Sequence, residues 1–389
     1  MKKIKVIHVV YIFELGGIET FILQLCNNMD FDKYENYVVT MTNENLGQIH
    51  LFDNRVNVIN LNIKQGKIKT FLGFFETLNK LIKIIKDIQP NIIHTHHEHY
   101  VTFFIQLTSK LSKENIINIR TVHSGGSFYT SQENLSDKIK LFIEKLTFKL
   151  FDINLIAVSQ AIHQNNLKYF GKLVKDNILI YNGVDLNRFD KDKYKNIQKK
   201  EFGFENTNII YTYISRLNPG KNHEYLVNIW QKIIDELPNA LLVFAGDGPL
   251  KKELEDIIFK NKLGKNIIFL GSIDNVPELL SISDIGVFPS LYEGMSIALL
   301  EKFAMELPVV ASDIEAFTNV ANNNFDSFLI SLNEEDKFIE KLIELGKNKE
   351  FCNQIGKNAY STAIKYSLQN TIKSYENYYE KKVATKNNK

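Results

Sequence analysis

Short apolar runs rich in Val and Ile alternate with longer amphipathic stretches along the whole chain, and this alternation constrains the fold most. In the first half the runs are Ile4–Val10, Tyr37–Thr42, Val56–Leu61, Ile92–His94, Ile116–Thr121, Ile153–Val158 and Ile178–Ile180. In the second half they are Ile209–Ile214, Ala240–Ala245, Ile267–Leu270, Ile285–Phe288 and Pro308–Ala311. Strand-then-helix alternation predicts parallel sheets wrapped by helices, an α/β class. A length of 389 residues exceeds one ordinary core, so two domains are expected. The polar, Lys-rich stretch Asp190–Gly203 is the candidate linker. In open α/β sheets ligands bind beyond the carboxyl ends of the strands, so two such domains facing each other would make one cleft. A last helix, roughly Leu368–Lys382, carries Ile372, Tyr375 and Tyr379 on one face, and Ala384–Lys389 is expected to fray.

Charge excludes little. The net charge is +2 overall, so nothing global points to nucleic acid. Residues 1–180 carry a net +5 and the remainder −3, which suits an anionic surface or acceptor on the N-terminal half. The opening MKKIKVIHVVYIF imitates a signal peptide but lacks a small-residue cleavage site, and reads as a first buried strand. No stretch approaches the length of a transmembrane span. The two cysteines, Cys26 and Cys352, lie in helical patterns and read as structural thiols of a cytoplasmic protein.

The most informative segment is FPSLYEGMSIALLEKFAMELPVVASD, Phe288–Asp313. Its strand ends at Phe288, a loop carries Glu293–Gly294, and a helix is expected from Met295 or Ser296. Glu301 follows Glu293 by eight positions, which would cover about 12 Å along a helix. That length suits the two ends of a sugar nucleotide. A helix start would offer free N–H groups to the phosphates between them. On spacing alone, two ordinary helix glutamates explain the pair equally well. In ISRLNPGKNH, Arg216 and Lys221 follow a strand in a Pro–Gly loop, where two cations can neutralise a diphosphate leaving group. Gly16 and Gly17 follow the first strand and would let the backbone approach a phosphate. The pattern is not GxGxxG, and no acidic residue ends the second strand, so an NAD site is not expected.

Five of the nine histidines lie between His94 and His123. In HTHHEH, His94 and His96 fall on one face of a strand end. With Glu98 and His99 they make up a metal-ligand set, but a strand end lining a cleft explains them equally well, and no helix-type HExxH is present. His123, after a further strand, is a candidate for contact with a reacting group. Of the Asp-x-Asp strings, Asp30–Asp32 and Asp190–Asp192, neither follows a buried strand, so neither is read as a metal site.

Taken together these segments resemble the retaining glycosyltransferases of family 4, whose fold is called GT-B: two Rossmann-like domains facing across a cleft, with the C-terminal helix crossing back to the N-terminal domain. The signature is glutamate, seven residues, glutamate: Glu293 to Glu301. Gly16–Gly17, His123, AVSQAI at Ala157–Ile162, YNGVDLNRF at Tyr181–Phe189, Arg216 with Lys221 and FAGDGPL at Phe244–Leu250 match in order and spacing. GGIET, IIHTHH, RTVHS and FPSLYEG look most like bacterial enzymes of capsular and exopolysaccharide synthesis.

The resemblance implies an acceptor domain at residues 1–190 with helix 368–382, and a donor domain at 204–367. It implies that Arg216, Lys221 and the Gly16–Gly17 backbone bind the diphosphate. Glu293 would hold sugar hydroxyls with the backbone of Gly294, Met295 and Ser296 nearby, Glu301 the ribose, and His123 would sit by the donor sugar and leaving oxygen. His94 and His96 are acceptor-side candidates. Neither cofactor nor metal is expected. The implied reaction moves a hexosyl unit from a nucleotide sugar, UDP-linked by preference, to a glycan acceptor that is lipid-linked. Rivals are a sugar-nucleotide 2-epimerase and a non-catalytic binding subunit. Two amphipathic helices, Lys67–Lys86 and Asp137–Leu150, read first as core-packing helices with solvated lysines, and second as a docking surface for an anionic membrane. Departures from the family pattern are Lys302, Phe303 and Glu306, where small residues and a Gly are usual, and Ser296 in place of a frequent Pro.

Overall fold

The computed structural model describes residues 3–13, 17–42, 49–64, 70–97, 99–123 and 135–387. The chain divides into two compact units, Met1–Asn182 with Gln369–Lys389, and Gly183–Leu368.

The first unit contains β1 (Ile4–Val10), α1 (Gly17–Asn28), β2 (Tyr34–Thr42), β3 (Asn57–Ile63), α2 (Phe71–Ile88), β4 (Ile92–Thr95), α3 (His99–Ser112), β5 (Ile117–Val122), α4 (Leu135–Leu150), β6 (Ile153–Ala157), α5 (Gln160–Phe170) and β7 (Asp176–Leu179). Among the described residues its sheet runs β3-β2-β1-β4-β5-β6-β7, with every pairing parallel. Val6, Ile7, Val9 and Val10 of β1 are all buried, the mark of a strand covered on both faces. Thr70 caps α2 by accepting the Gly73 N–H at 3.1 Å, and Gln89 ends it in the left-handed region. The apolar face of α2 then packs Leu78, Leu81 and Ile85 against Val9, Val39 and Ile93. Each such side chain contributes about 1.5–3 kcal/mol when fully buried.

The second unit contains β8 (Ile209–Ile214), α6 (His223–Glu236), β9 (Ala240–Ala245), α7 (Lys251–Lys260), β10 (Ile267–Gly271), α8 (Val276–Ser281), β11 (Ile285–Phe288), α9 (Ile297–Ala304), β12 (Val309–Ser312), α10 (Glu315–Thr318), β13 (Ser327–Ile330), α11 (Glu335–Lys347) and α12 (Lys349–Lys365). Its sheet runs β10-β9-β8-β11-β12-β13, again parallel. Both sheets therefore reverse their strand order once, between β1 and β4 and between β8 and β11. Those crevices are where open α/β sheets bind ligands.

The last helix, α13 (Leu368–Asn387), returns to the first unit from Gln369 onward. Tyr34 donates to the Glu376 carbonyl at 3.0 Å, the Asp30 N–H donates to the Glu376 carboxylate at 2.8 Å, and Lys382 pairs with Asp176 at 2.8 Å. Ile372, Tyr375 and Tyr379 are buried on its inner face.

Three expectations need correction. The helix does not fray at Ala384 but continues to Asn387. Asp190–Gly203 is not a free linker. It folds into 3-10 turns at Lys191–Tyr194 and Lys199–Phe202 and is tied to the second unit by Lys199 and Asp284 at 3.0 Å. The second half holds six strands rather than the five expected from its apolar runs, with β13 at the end of the sheet beside β12. The amphipathic helices span Phe71–Ile88 and Leu135–Leu150, with Lys67 and Lys69 outside the described residues.

Candidate active site

The second sheet reverses at β8 and β11, and the loops leaving those two strands carry the candidate donor residues. After β8 the chain makes a 3-10 turn, Pro219–Lys221, and then enters α6. Gly220 lies under the Tyr292 ring, so closely that a Cβ there would sit 2.5 Å from it, and its carbonyl accepts the Leu291 N–H at 2.9 Å. The two loops are thereby joined. Lys221 Nζ donates to Glu293 Oε1 at 2.5 Å, and Ser290 Oγ donates to the same oxygen at 3.0 Å. Tyr213 donates to the Lys221 carbonyl at 2.8 Å and lies 3.0 Å from Ser290 Oγ. A cation and a carboxylate thus meet at the crevice with a buried hydroxyl pair behind them. Arg216 is exposed, with no side-chain partner among the described residues. The loop after β9 closes the same place from the side. Gly246 has φ +136°, and a Cβ on Gly246 or Gly248 would meet the backbone of Ser215 or Leu217 at 2.1 or 2.4 Å.

Ser296 is the N-cap of α9, accepting the Leu299 N–H at 3.3 Å. A Ser in place of a Pro is thus locally explained. Glu293 and Gly294 precede the helix, so the estimate of about 12 Å along a helix does not hold between Glu293 and Glu301. Only the four steps from Ile297 to Glu301 are helical, or about 6 Å of rise. The N–H groups of Gly294 and Ser296 have no partner among the described residues, whereas Met295 is buried and has contacts of its own. Glu301 is partly buried and its carboxylate has no hydrogen-bond partner among the described residues. Burial raises its pKa, while the charges of Lys302 and Arg188 oppose that rise. Arg188, from the YNGVDLNRF segment, is a site-edge residue that spacing had not singled out.

The first sheet reverses at β1 and β4, and there the histidines collect. His8 and His94 are paired in register on β1 and β4. His94 and His96 share a face with ring centres 4.1 Å apart. His8 Nδ1 lies 3.1 Å from His96 Nε2, and His96 Nδ1 lies 3.1 Å from His123 Nε2. His94 is held apart from this series: its Nδ1 meets the Tyr379 hydroxyl at 2.6 Å and its Nε2 the Thr121 hydroxyl at 2.7 Å. Thr121 in turn lies 3.1 Å from the Tyr375 hydroxyl. Burial lowers the pKa of His8 and His123 to about 3 and keeps His94 and His96 well below the usual range. All four rings are neutral near pH 7.

His94 and His96 are fully enclosed and all four of their ring nitrogens are engaged, so neither is presented to an acceptor in this structure. Ligand atoms of His8, His94 and His96 lie within 4.8 Å of one another, but a metal there would displace these bonds. His99 points elsewhere, 3.2 Å from Glu144, which also pairs with the buried Arg120. Glu98 lies outside the described residues, as does Gly16, while Gly17 begins α1. Asp30 and Asp190 each accept the backbone N–H two residues on, a turn-capping use of both Asp-x-Asp strings. His8 was missed because a lone His in an apolar run reads as core. Its register partner, His94, was the available signal.

Residues 15–188 match the family described as Glycosyltransferase Family 4, and residues 194–362 match the one described as Glycosyl transferases group 1. The chain is 29% identical over 302 residues, 74% of each chain, to UDP-Gal:alpha-D-GlcNAc-diphosphoundecaprenol alpha-1,3-galactosyltransferase of Escherichia coli. It is 26% identical over 360 residues to the capsular polysaccharide biosynthesis glycosyltransferase CapH of Staphylococcus aureus, covering 90% of this chain and 93% of that one. HepE of Anabaena, crystallised with UDP and glucose, superposes with a TM-score of 0.78 at 18% identity, covering 96% of this chain and 98% of that one. The two matches together span both sheets and both crevices, and the chain belongs to the family 4 glycosyltransferases, with the GT-B fold.

Proposed function

We propose that this glycosyltransferase moves a hexosyl or N-acetylhexosaminyl unit from a UDP-sugar to a lipid-linked glycan, with retention at the anomeric carbon, in the synthesis of a surface polysaccharide. The observation that carries the donor side is the Lys221–Glu293 pair at the β8/β11 reversal, with exposed Arg216 in the loop that follows β8. In this reading Arg216 and Lys221 bind the diphosphate and stabilise the charge that develops on it. Glu293 and the Gly294–Ser296 backbone orient the sugar, and Glu301 takes the ribose hydroxyls. His123 of the first unit serves the donor sugar and leaving oxygen. A front-side displacement follows, in which the leaving phosphate accepts the acceptor's proton. The acceptor class is supported by the E. coli relative, whose name specifies a GlcNAc-diphosphoundecaprenol.

Membrane access belongs to the same reading. Among the described residues no helix is long and apolar enough to cross a membrane. The outer face of α4, however, exposes Leu135, Ile139 and Phe142 (74%, 51% and 66%) beside Lys138, Lys145 and Lys149. We propose that this face rests on an anionic membrane carrying the acceptor.

The test is UDP release from UDP-Glc, UDP-Gal and UDP-GlcNAc, with and without a GlcNAc-diphosphate lipid. Arg216→Ala and Lys221→Ala should each lower kcat by roughly 10²–10³, corresponding to about 2.7–4 kcal/mol of lost transition-state stabilisation. Wild-type turnover in both variants would remove the donor assignment. Conversion of the sugar nucleotide without an acceptor would favour the 2-epimerase instead.

A further inference from the structure

The histidine series at the first crevice has a direction. His8, His96 and His123 are joined by two contacts of 3.1 Å, both of which pass through His96. A neutral imidazole has one N–H donor and one bare acceptor nitrogen. Because His96 uses both of its nitrogens, the two contacts must run the same way. In one arrangement every ring carries its proton on Nδ1, and the bonds run from His8 to His96 to His123. In the other every ring carries it on Nε2 and the bonds run inward. The inward arrangement ends on an N–H at His8 Nε2, which is buried and has no partner among the described residues. The outward arrangement leaves only a bare nitrogen there. Orphaned buried donors are rarer in proteins than under-used acceptors.

We infer that His8 and His96 are positioning residues that hold His123 in its Nδ1–H form, so that the end of β5 offers a hydrogen-bond donor rather than an acceptor. Phe21 of α1 packs edge-on against the His123 ring at 5.1 Å and tilted against His96 at 6.0 Å, which limits rotation of both rings. His94 cannot substitute in the series, since Tyr379 and Thr121 occupy its two nitrogens. The inference rests on the reading of His123 as a residue serving the leaving oxygen. A fixed N–H donor there suits the negative charge that develops on that oxygen, whereas a bare nitrogen would repel it. The tautomer of the outer ring is thus set by a residue two rings away, as a hydrogen bond to one ring nitrogen fixes the state of the other.

The test is long-range proton–nitrogen NMR of the full chain with ring-¹⁵N histidine, with His123 assigned by its loss in His123→Gln. The wild-type protein should show His123 as Nδ1–H, unchanged between pH 5 and pH 8. An Nε2–H pattern in the wild type overturns the inference, and that measurement depends on no variant folding. In His96→Phe the His123 signal should become a mixture of the two forms. The kinetic loss in that variant should fall on kcat, at least tenfold, with donor KM changed less than threefold. A His123 that stays wholly Nδ1–H in His96→Phe also overturns it. His123→Gln separates the underlying reading: wild-type kcat and donor KM in that variant would remove His123 from the reaction while leaving its tautomer as measured.

Discussion

Lys302 stands next to Glu301 and is fully buried, its amine 4.5 Å from the centre of the Phe288 ring and without a hydrogen-bond partner among the described residues. Burial pushes its pKa down to about 7, against the opposing pull of Glu301. Its stem crosses β11 at Gly286, where a Cβ would lie 2.3 Å from the Lys302 side chain. Lys302→Met should stabilise the protein by about 1–3 kcal/mol at pH 7, by removing an unpaired buried amine of similar length. The folded pKa is depressed relative to about 10.4 in the unfolded chain. Between these values the unfolded state binds more protons, so the parent gains stability as pH rises from 7 to 10. The advantage of Met should therefore shrink across that range, and urea midpoints at pH 7 and pH 10 measure it. A midpoint unmoved at pH 7 would contradict the account. Glu306, at φ +57°, occupies the left-handed position that ends α9, where Gly fits without strain. Glu306→Gly should gain about 0.5–1 kcal/mol by the same measurement, since its contact with Lys191 is half exposed and worth little. Both residues were visible in the sequence as departures from the family pattern. Burial of Lys302 was not, because lysines ordinarily reach water and only the packing around Gly286 shows that this one does not.

At the scale of elements, the outer face of α4 is the feature with the clearest consequence. Leu135, Ile139 and Phe142 are spaced four and three apart and face away from the core, which Leu141, Glu144 and Phe148 adjoin from the other side. Replacing all three exposed residues by Ser should leave the unfolding midpoint nearly unchanged, since little buried area is lost. Binding to vesicles containing anionic lipid should fall at least tenfold in co-sedimentation. Equal binding by parent and variant would exclude α4 as the contact. The sequence displayed the lysines of this helix plainly but not which apolar residues they flank, because a helix with apolar residues on two faces offers two candidate core stripes. Only packing against α3 and the sheet decides. The strand runs were legible for a different reason: a strand buried on both faces must be almost wholly apolar, as in Ile4–Val10 and Ala240–Ala245. β13 escaped notice because four residues, Ser327–Ile330, set in Asn- and Glu-rich surroundings do not stand out. The Ser296 cap, by contrast, follows from one residue and its spacing to Leu299.

For the whole molecule, the buried neutral histidines set the acid limit. His8 is fully enclosed with a folded pKa of about 3, against about 6.5 when unfolded. As pH falls below 6.5 the unfolded chain takes up a proton that the folded chain refuses, so stability declines. At pH 5 this amounts to about 2 kcal/mol for His8 alone, and His94 and His96 act in the same direction. Glu144 titrates lower: burial would raise it, but Arg120 and His99 hold it at about 2. Its contribution is therefore complete above about pH 4.3 and is lost only as pH falls toward 2. The unfolding midpoint should thus drop steadily from pH 7 to pH 5, and a flat profile over that interval would refute the neutral-histidine account. The return of α13 to the first unit has a consequence in time. The second unit is one unbroken segment, Gly183–Leu368, and can close as soon as that segment has left the ribosome. The first unit cannot, since Tyr375 and Tyr379 reach Thr121 and His94 from α13. Its first 182 residues must wait, with Thr121 and His94 lacking these partners, until the later unit has been made. A chain cut before Gln369 would keep the second unit and strand the first in that waiting state.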